Sequence, residues 1–204
     1  RVFAGAMETA QRLGWRRAAL ADIADAAGVS LVELHAQFAD KGAILRGLVD
    51  YADRKVLEGM PKKSDSDASP RDRLFDVLMR RFDALRPYRE GLAAVAREGG
   101  GVGVGDAICG AQRMLRSLAW MLEAAGIGSG GWAGSARVKG LGIVYAATFA
   151  AWLRDETEDM SKTMAALDRN LARAERLVST FSFRRPGTGP GAKDAGESPA
   201  GSHA

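Results

Sequence analysis

Chemistry that relies on imidazole or thiolate has little to work with in this chain, whose 204 residues hold two histidines, His35 and His203, and one cysteine, Cys109. No histidine–carboxylate–nucleophile set and no metal cluster can be built from so few, so an enzyme is not expected and no cofactor or metal is assigned. The lone cysteine excludes an internal disulfide, suits a reducing cytosol and reads as a buried, inert thiol. The run Gly99-Gly-Gly-Val-Gly-Val-Gly105 invites a phosphate-loop reading, but no strand precedes it and no Gly-Lys-Ser/Thr closes it, so a flexible connection is expected. What remains is the chemistry of charge and hydrogen bonding near the amino terminus. Arg16, Arg17, Lys41 and Arg46 could meet phosphates, and Ser30, His35 and Gln37 could meet bases or backbone. Asp22, Asp25, Glu33 and Asp40 lie among them, so solvated surface charge is the standing alternative.

These side chains need helices to position them. Leu20, Ile23, Ala24 and Ala27 form the apolar stripe of one short helix, and Gly28 ends it in the left-handed conformation that a Cβ would penalise. Val29 fills the angle, and Ser30 opens the next helix as a cap whose hydroxyl accepts from the Glu33 N–H while Glu33 reaches back. Two short helices joined in this way are a helix-turn-helix, whose second helix can enter a DNA major groove. Upstream, Phe3, Ala6, Ala10 and Leu13 recur at helical spacing before Gly14, and Trp15 is placed to seal a three-helix core.

With Leu13-Gly14-Trp15, Asp22-Ile23-Ala24, Ala27-Gly28-Val29-Ser30, Phe38 and Lys41 in this order, the first quarter of the chain resembles the TetR family of bacterial regulators. The resemblance implies an all-α fold: a three-helix DNA-binding head at 1–42 and a body of about six helices at 43–183 that binds a ligand and dimerises. On such a head, Arg16, Arg17, Ser30, His35, Gln37 and Lys41 are the candidates for DNA contacts. The chain departs from the family pattern at Leu31, Glu33 and His35, where members often carry a basic residue, a threonine and a tyrosine.

Apolar residues make up 47% of the chain, enough for a full core, and the net charge of +4 is compatible with nucleic acid or an anionic surface. No run is long enough to span a bilayer and no signal peptide is apparent, so a cytoplasmic protein is expected. The chain starts at Arg1 without a methionine or a basic arm, consistent with a lost upstream segment. A helix is expected from Lys41 to Met60 with Leu45, Leu48, Ala52 and Val56 inward, then a linker from Pro61 to Pro70. Ser69 and Pro70 start a helix that ends near Pro87, and a short one follows to Glu98. Asp106 is expected to cap a helix through Leu122, another runs from Trp132 to Arg154, and Met160, Met164, Leu167, Leu171, Ala174, Val178 and Phe181 give the last helix a seam. Residues 184–204 read as a disordered tail.

Two long terminal helices with apolar seams suit a homodimer, with Val138, Leu141, Trp152, Met164, Leu167, Leu171 and Val178 as the expected interface; the core of one protomer is the alternative. Phe75, Met79, Phe82, Leu92, Met114, Leu118, Met121, Leu122, Tyr145 and Phe149 are candidates to line an apolar cavity, with Trp120 and Tyr145 orienting a head group. Few charged groups fall on those inward faces, which favours an isoprenoid or acyl lipid over a charged metabolite. Leu85-Arg-Pro-Tyr88, Trp120, the stretch Gly142 to Trp152 and Trp152-Leu-Arg-Asp-Glu-Thr-Glu-Asp159 with Thr163, Leu167 and Asp168 look like the body of the ubiquinone-biosynthesis lipid-binding protein family. That resemblance implies a TetR-like fold with a degenerate helix-turn-helix, a lipid ligand and peripheral membrane contact. The first reading is a ligand-responsive regulator that binds a double-stranded DNA operator; the alternative is a lipid-binding protein that does not bind DNA.

Overall fold

The computed structural model describes residues 1–60, 68–99 and 104–182, with side chains at 104–109 and 177–182 excepted. Residues 61–67 of the linker expected from Pro61 to Pro70, most of the glycine run, the Cys109 side chain, Val178, Phe181 and the tail with His203 therefore lie outside the described side chains. Helices run as α1 (Val2–Leu13), α2 (Leu20–Ala27), α3 (Leu31–Gln37), α4 (Lys41–Glu58), α5 (Pro70–Leu85), α6 (Arg89–Arg97), α7 (Val104–Ala124), α8 (Gly131–Trp152) and α9 (Ser161–Ser182), with one 3-10 turn at Arg86–Tyr88. The fold is all-α, and no strand occurs among the described residues.

Local signals set most boundaries. Gly28 stands at φ 62°, ψ 41°, ending α2 as its sequence position requires. The Ser30 hydroxyl accepts from the Glu33 N–H at 3.2 Å while Glu33 Oε2 accepts from the Ser30 N–H at 2.7 Å, which fixes the start of α3. Ser69 caps α5 with Pro70 in the first turn. Two expectations need correction. In α4 the inward side chain is Ile44 rather than Leu45, which is half-buried, because Ile44 shares the turn spacing of Leu48, Ala52 and Val56. Helix α7 begins at Val104, so Asp106 lies within its first turn instead of capping it.

Trp15, Ile23 and Leu34 are buried in the head, and one continuous apolar core joins them to Ile44, Leu48, Phe82, Leu118, Trp152 and Leu167. Head and body meet where α6 crosses α1. A Cβ built on Gly91 would lie 2.3 Å from the Met7 Cβ, so only glycine admits that approach. Helices α8 and α9 pack antiparallel, and the reversal between them is held by Asp155. Its buried carboxylate accepts from the amides and hydroxyls of both Thr157 and Thr163, serving the open Thr163 N–H in the first turn of α9 and the Thr157 N–H in the loop before it. Arg89 on α6 donates to the Asp155 carbonyl, tying the reversal to the body.

Burial pushes the Asp155 pKa up, but the hydrogen bonds from Thr157 and Thr163 outweigh it and hold the group at about 2, below its ordinary 3.8. A folded-state pKa below the unfolded one means the carboxylate stabilises the fold above pH ~4 and that this contribution fades as pH falls toward ~2. At neutral pH it amounts to about 2 kcal/mol. Asp155→Asn should therefore lower the urea midpoint at pH 7, with the gap to wild type closing between pH 4 and 2. A gap that stays constant across that range would show that the charge is not what matters.

Candidate functional site

The head presents α3 to solvent with Leu34 turned in and Leu31, Val32, Glu33, His35 and Gln37 turned out. Leu31 and Val32 are 53% and 79% exposed, so the first turn of the helix offers aliphatic surface where a groove reader offers hydrogen-bonding side chains. The Ser30 amide and hydroxyl hold the Glu33 carboxyl below the usual carboxylate range, keeping a negative charge on this face. Gln37 donates to the Glu33 carbonyl at 3.4 Å, and the Ser30 hydroxyl is engaged with Glu33. No lysine or arginine lies on α3, and residues 1–42 carry five basic and five acidic side chains.

Lys41 departs furthest from its expected role as a phosphate contact. Its ammonium donates to the carbonyls of Trp15 (2.8 Å), Arg16 (3.3 Å) and Ala18 (2.7 Å) and sits 5.4 Å from the Trp15 ring centroid. All three N–H groups of a lysine are thereby committed, and its work is to close the turn between α1 and α2. Arg46 pairs with Asp40 at 3.3 Å. Arg16 and Arg17 are exposed in the α1–α2 turn, and Arg16 Nη2 donates to the Glu98 carbonyl at the end of α6.

In the body, the ten side chains expected to line a cavity do gather in one core. Phe82, Leu118, Met121, Leu122 and Tyr145 are buried, and Phe75, Met79, Leu92, Met114 and Phe149 pack half-buried around them. They lie against one another: Phe82 stacks on Tyr145 with ring centroids 5.4 Å apart, and Tyr145 on Phe149 at 5.9 Å. Trp120 does not join them; it is 57% exposed on α7, which corrects its expected part in orienting a head group.

One charged group does face inward: the fully buried Arg81 stands at the centre of this core. Its Nε donates to the Tyr145 hydroxyl at 3.1 Å, and its Nη1 donates to Asp53 and, at 2.7 Å, to the Ser117 hydroxyl. Ser117 in turn donates to Asp53 at 2.8 Å, so one knot joins α4, α5, α7 and α8. Burial works against the charge of Arg81, but Tyr145 and Asp53 outweigh it and raise the pKa above the ordinary arginine value. Nη2 faces only the Met114 sulfur, a weak acceptor, at 3.7 Å, and the buried Trp152 Nε1 has no hydrogen-bond partner. The sequence does contain a signal for this knot: Leu74, Leu78, Arg81 and Leu85 follow one another by fours and threes, putting an arginine on an inward stripe.

The side chains expected at a dimer interface face inward. Leu141, Trp152, Leu167 and Leu171 are buried inside the protomer, and Val138 and Met164 are half-buried, because α8 and α9 turn these seams toward each other and toward α5. The outward face of α8 instead carries Ala136, Gly140, Ile143, Ala147 and Ala150, with Ile143 74% exposed and open space beside Gly140. Among the described residues, no group of three or more histidine, cysteine or carboxylate side chains is placed to hold a metal, and no helix is long and apolar enough to cross a membrane.

The COQ9 family model matches residues 136–178, which span most of α8 and α9. No curated protein matches the chain. Among solved structures, the TetR transcriptional regulator from Nitrosomonas europaea ATCC 19718 is 26% identical, with 86% of this chain and 96% of that one covered at a TM-score of 0.68. A TetR transcriptional regulator from Rhodococcus sp. RHA1 is 20% identical, covering 85% and 92% at a TM-score of 0.57, a likeness of fold alone. The chain thus has the TetR-like fold over most of its length and carries a COQ9-like segment across α8 and α9.

Proposed function

We propose that this chain is a non-enzymatic, lipid-binding protein of the COQ9 kind, built on a TetR-like fold whose helix-turn-helix is structural and does not read DNA. The observation that carries this reading is the outward face of α3, which offers Leu31, Val32 and Glu33 and no lysine or arginine. Phosphate contacts supply much of the affinity for DNA, and a carboxylate facing phosphates subtracts from it. The family match over α8 and α9 points the same way. A guest among Phe75, Met79, Met114, Tyr145 and Phe149 would have to part side chains that pack on one another, and the half-buried methionines are the ones that can yield. Arg81 Nη2 and Trp152 Nε1 are buried donors that lack an oxygen acceptor, so an isoprenoid or acyl chain ending in a carbonyl or hydroxyl oxygen suits the place. Two copies would pair through the outward stripe of α8, whose small residues let a second helix approach closely.

A second reading, a ligand-responsive DNA-binding regulator, is favoured by the intact capping box of α3 and by the likeness to the Nitrosomonas regulator. One pair of measurements separates the two. Native mass spectrometry of freshly purified protein should show a dimer carrying a lipid-sized adduct, and gel-shift titration at low salt with the upstream intergenic region should show no sequence selection. A saturable, sequence-selective shift would replace the first reading by the second.

A further inference from the structure

At the junction of head and body, the turn between α1 and α2 faces the end of α6 across an open hollow of about 600 Å³ lined by Arg16, Arg17, Arg97, Glu98 and Gly99. We propose that this hollow binds the phosphate group of a small molecule or lipid head group, through the guanidinium groups of Arg16, Arg17 and Arg97.

The hollow is shaped by fixed contacts. Glu98 Oε2 accepts from the Arg16 backbone N–H at 2.7 Å, and Arg16 Nη2 donates back to the Glu98 carbonyl at 3.3 Å, so one guanidinium is held in place by the opposite wall. Gly14, at φ 82°, makes that approach possible, since a Cβ there would lie 2.4 Å from Glu98 Oε1. The one carboxylate in the hollow is thus occupied with a backbone amide. Arg17 and Arg97 are exposed and have no ion pair or hydrogen-bond partner among the described residues, in contrast to Arg46 with Asp40 and Arg113 with Asp50.

Three arginines against one carboxylate leave two positive charges in the hollow, which a phosphate monoester of about −1.5 to −2 at neutral pH matches. Arginine forks meet phosphate oxygens in pairs of parallel hydrogen bonds, and a monocarboxylate would leave much of that donor capacity unused. Because Arg97 and Glu98 come from the end of α6, the proposed site involves body as well as head and does not depend on α3 reading DNA.

The test uses the full chain and the double variant Arg17→Gln/Arg97→Gln, with Arg16 kept because it anchors Glu98. Folding of the variant is checked by helical circular dichroism. Inorganic phosphate and ADP are titrated by calorimetry, and co-flotation is measured with phosphatidylcholine vesicles with and without phosphatidic acid. Wild type should bind at least one phosphate probe saturably, and the folded double variant should bind it about tenfold or more weakly. Binding of ADP or inorganic phosphate assigns a soluble ligand, and flotation with phosphatidic acid alone assigns a head group. The proposal is overturned if no probe binds wild type or if the folded variant binds equally well. Binding confined to duplex DNA, sensitive to Arg17→Gln and indifferent to Arg97→Gln, would overturn it too.

Discussion

Arg81→Met should destabilise the protein by about 3–5 kcal/mol. The side chain it removes is fully buried and satisfies Asp53, whose own side chain is only 16% exposed. Methionine fills similar space, so the loss comes less from a cavity than from leaving the Asp53 carboxylate, among the described residues, with Ser117 as its hydrogen-bond donor and Arg113 as a nearby charge. The Tyr145 hydroxyl loses its donor as well. Removing both partners should be far milder: in Arg81→Met/Asp53→Leu no charge is left behind, and apolar groups replace the pair. Urea midpoints of the wild type, both single variants and the double variant close a mutant cycle. Equal stability of the Arg81→Met single and the double variant would show that Asp53 is not held by Arg81 and that the knot is incidental.

The same residue shows what the sequence conceals. Capping boxes, left-handed glycines and proline at a helix start act within a few residues of chain, so α2, α3 and the start of α5 are legible from Gly28, Ser30, Glu33, Ser69 and Pro70 alone. Periodicity likewise identifies the stripes of α5 and α9. It does not say what a stripe faces. An arginine on the α5 stripe reads as an exception until Asp53 from α4, Ser117 from α7 and Tyr145 from α8 arrive around it, and those partners lie 28, 36 and 64 residues away in the chain. Lys41 is a similar case, because its carbonyl partners belong to a turn whose shape only the assembled head defines. The composition of α3 is local, so the departure at Leu31 and Glu33 is legible in the sequence, whereas the outward direction of these side chains follows from how the head packs.

Leu167→Glu/Leu171→Glu should unfold the protomer rather than release a monomer from a dimer. Both leucines are buried within a single chain, at 0% and 5% exposure, against the inner face of α8 and the body. Two carboxylates forced into that seam without partners cost several kcal/mol each, which exceeds or exhausts the roughly 5–15 kcal/mol that holds such a domain together. Ile143→Glu/Ala147→Glu should act differently, because those side chains already face water and no intramolecular packing is lost. A carboxylate pair there would meet its symmetry mate across an α8–α8 contact, and like charges at close range oppose pairing. Light scattering should then report a folded monomer for the α8 variant, with helical circular dichroism like that of wild type, and aggregation or lost helicity for the α9 variant. If the α9 variant instead gives a folded monomer and the α8 variant stays dimeric, the seam of Leu167 and Leu171 serves the partner copy, and the outward stripe of α8 does not.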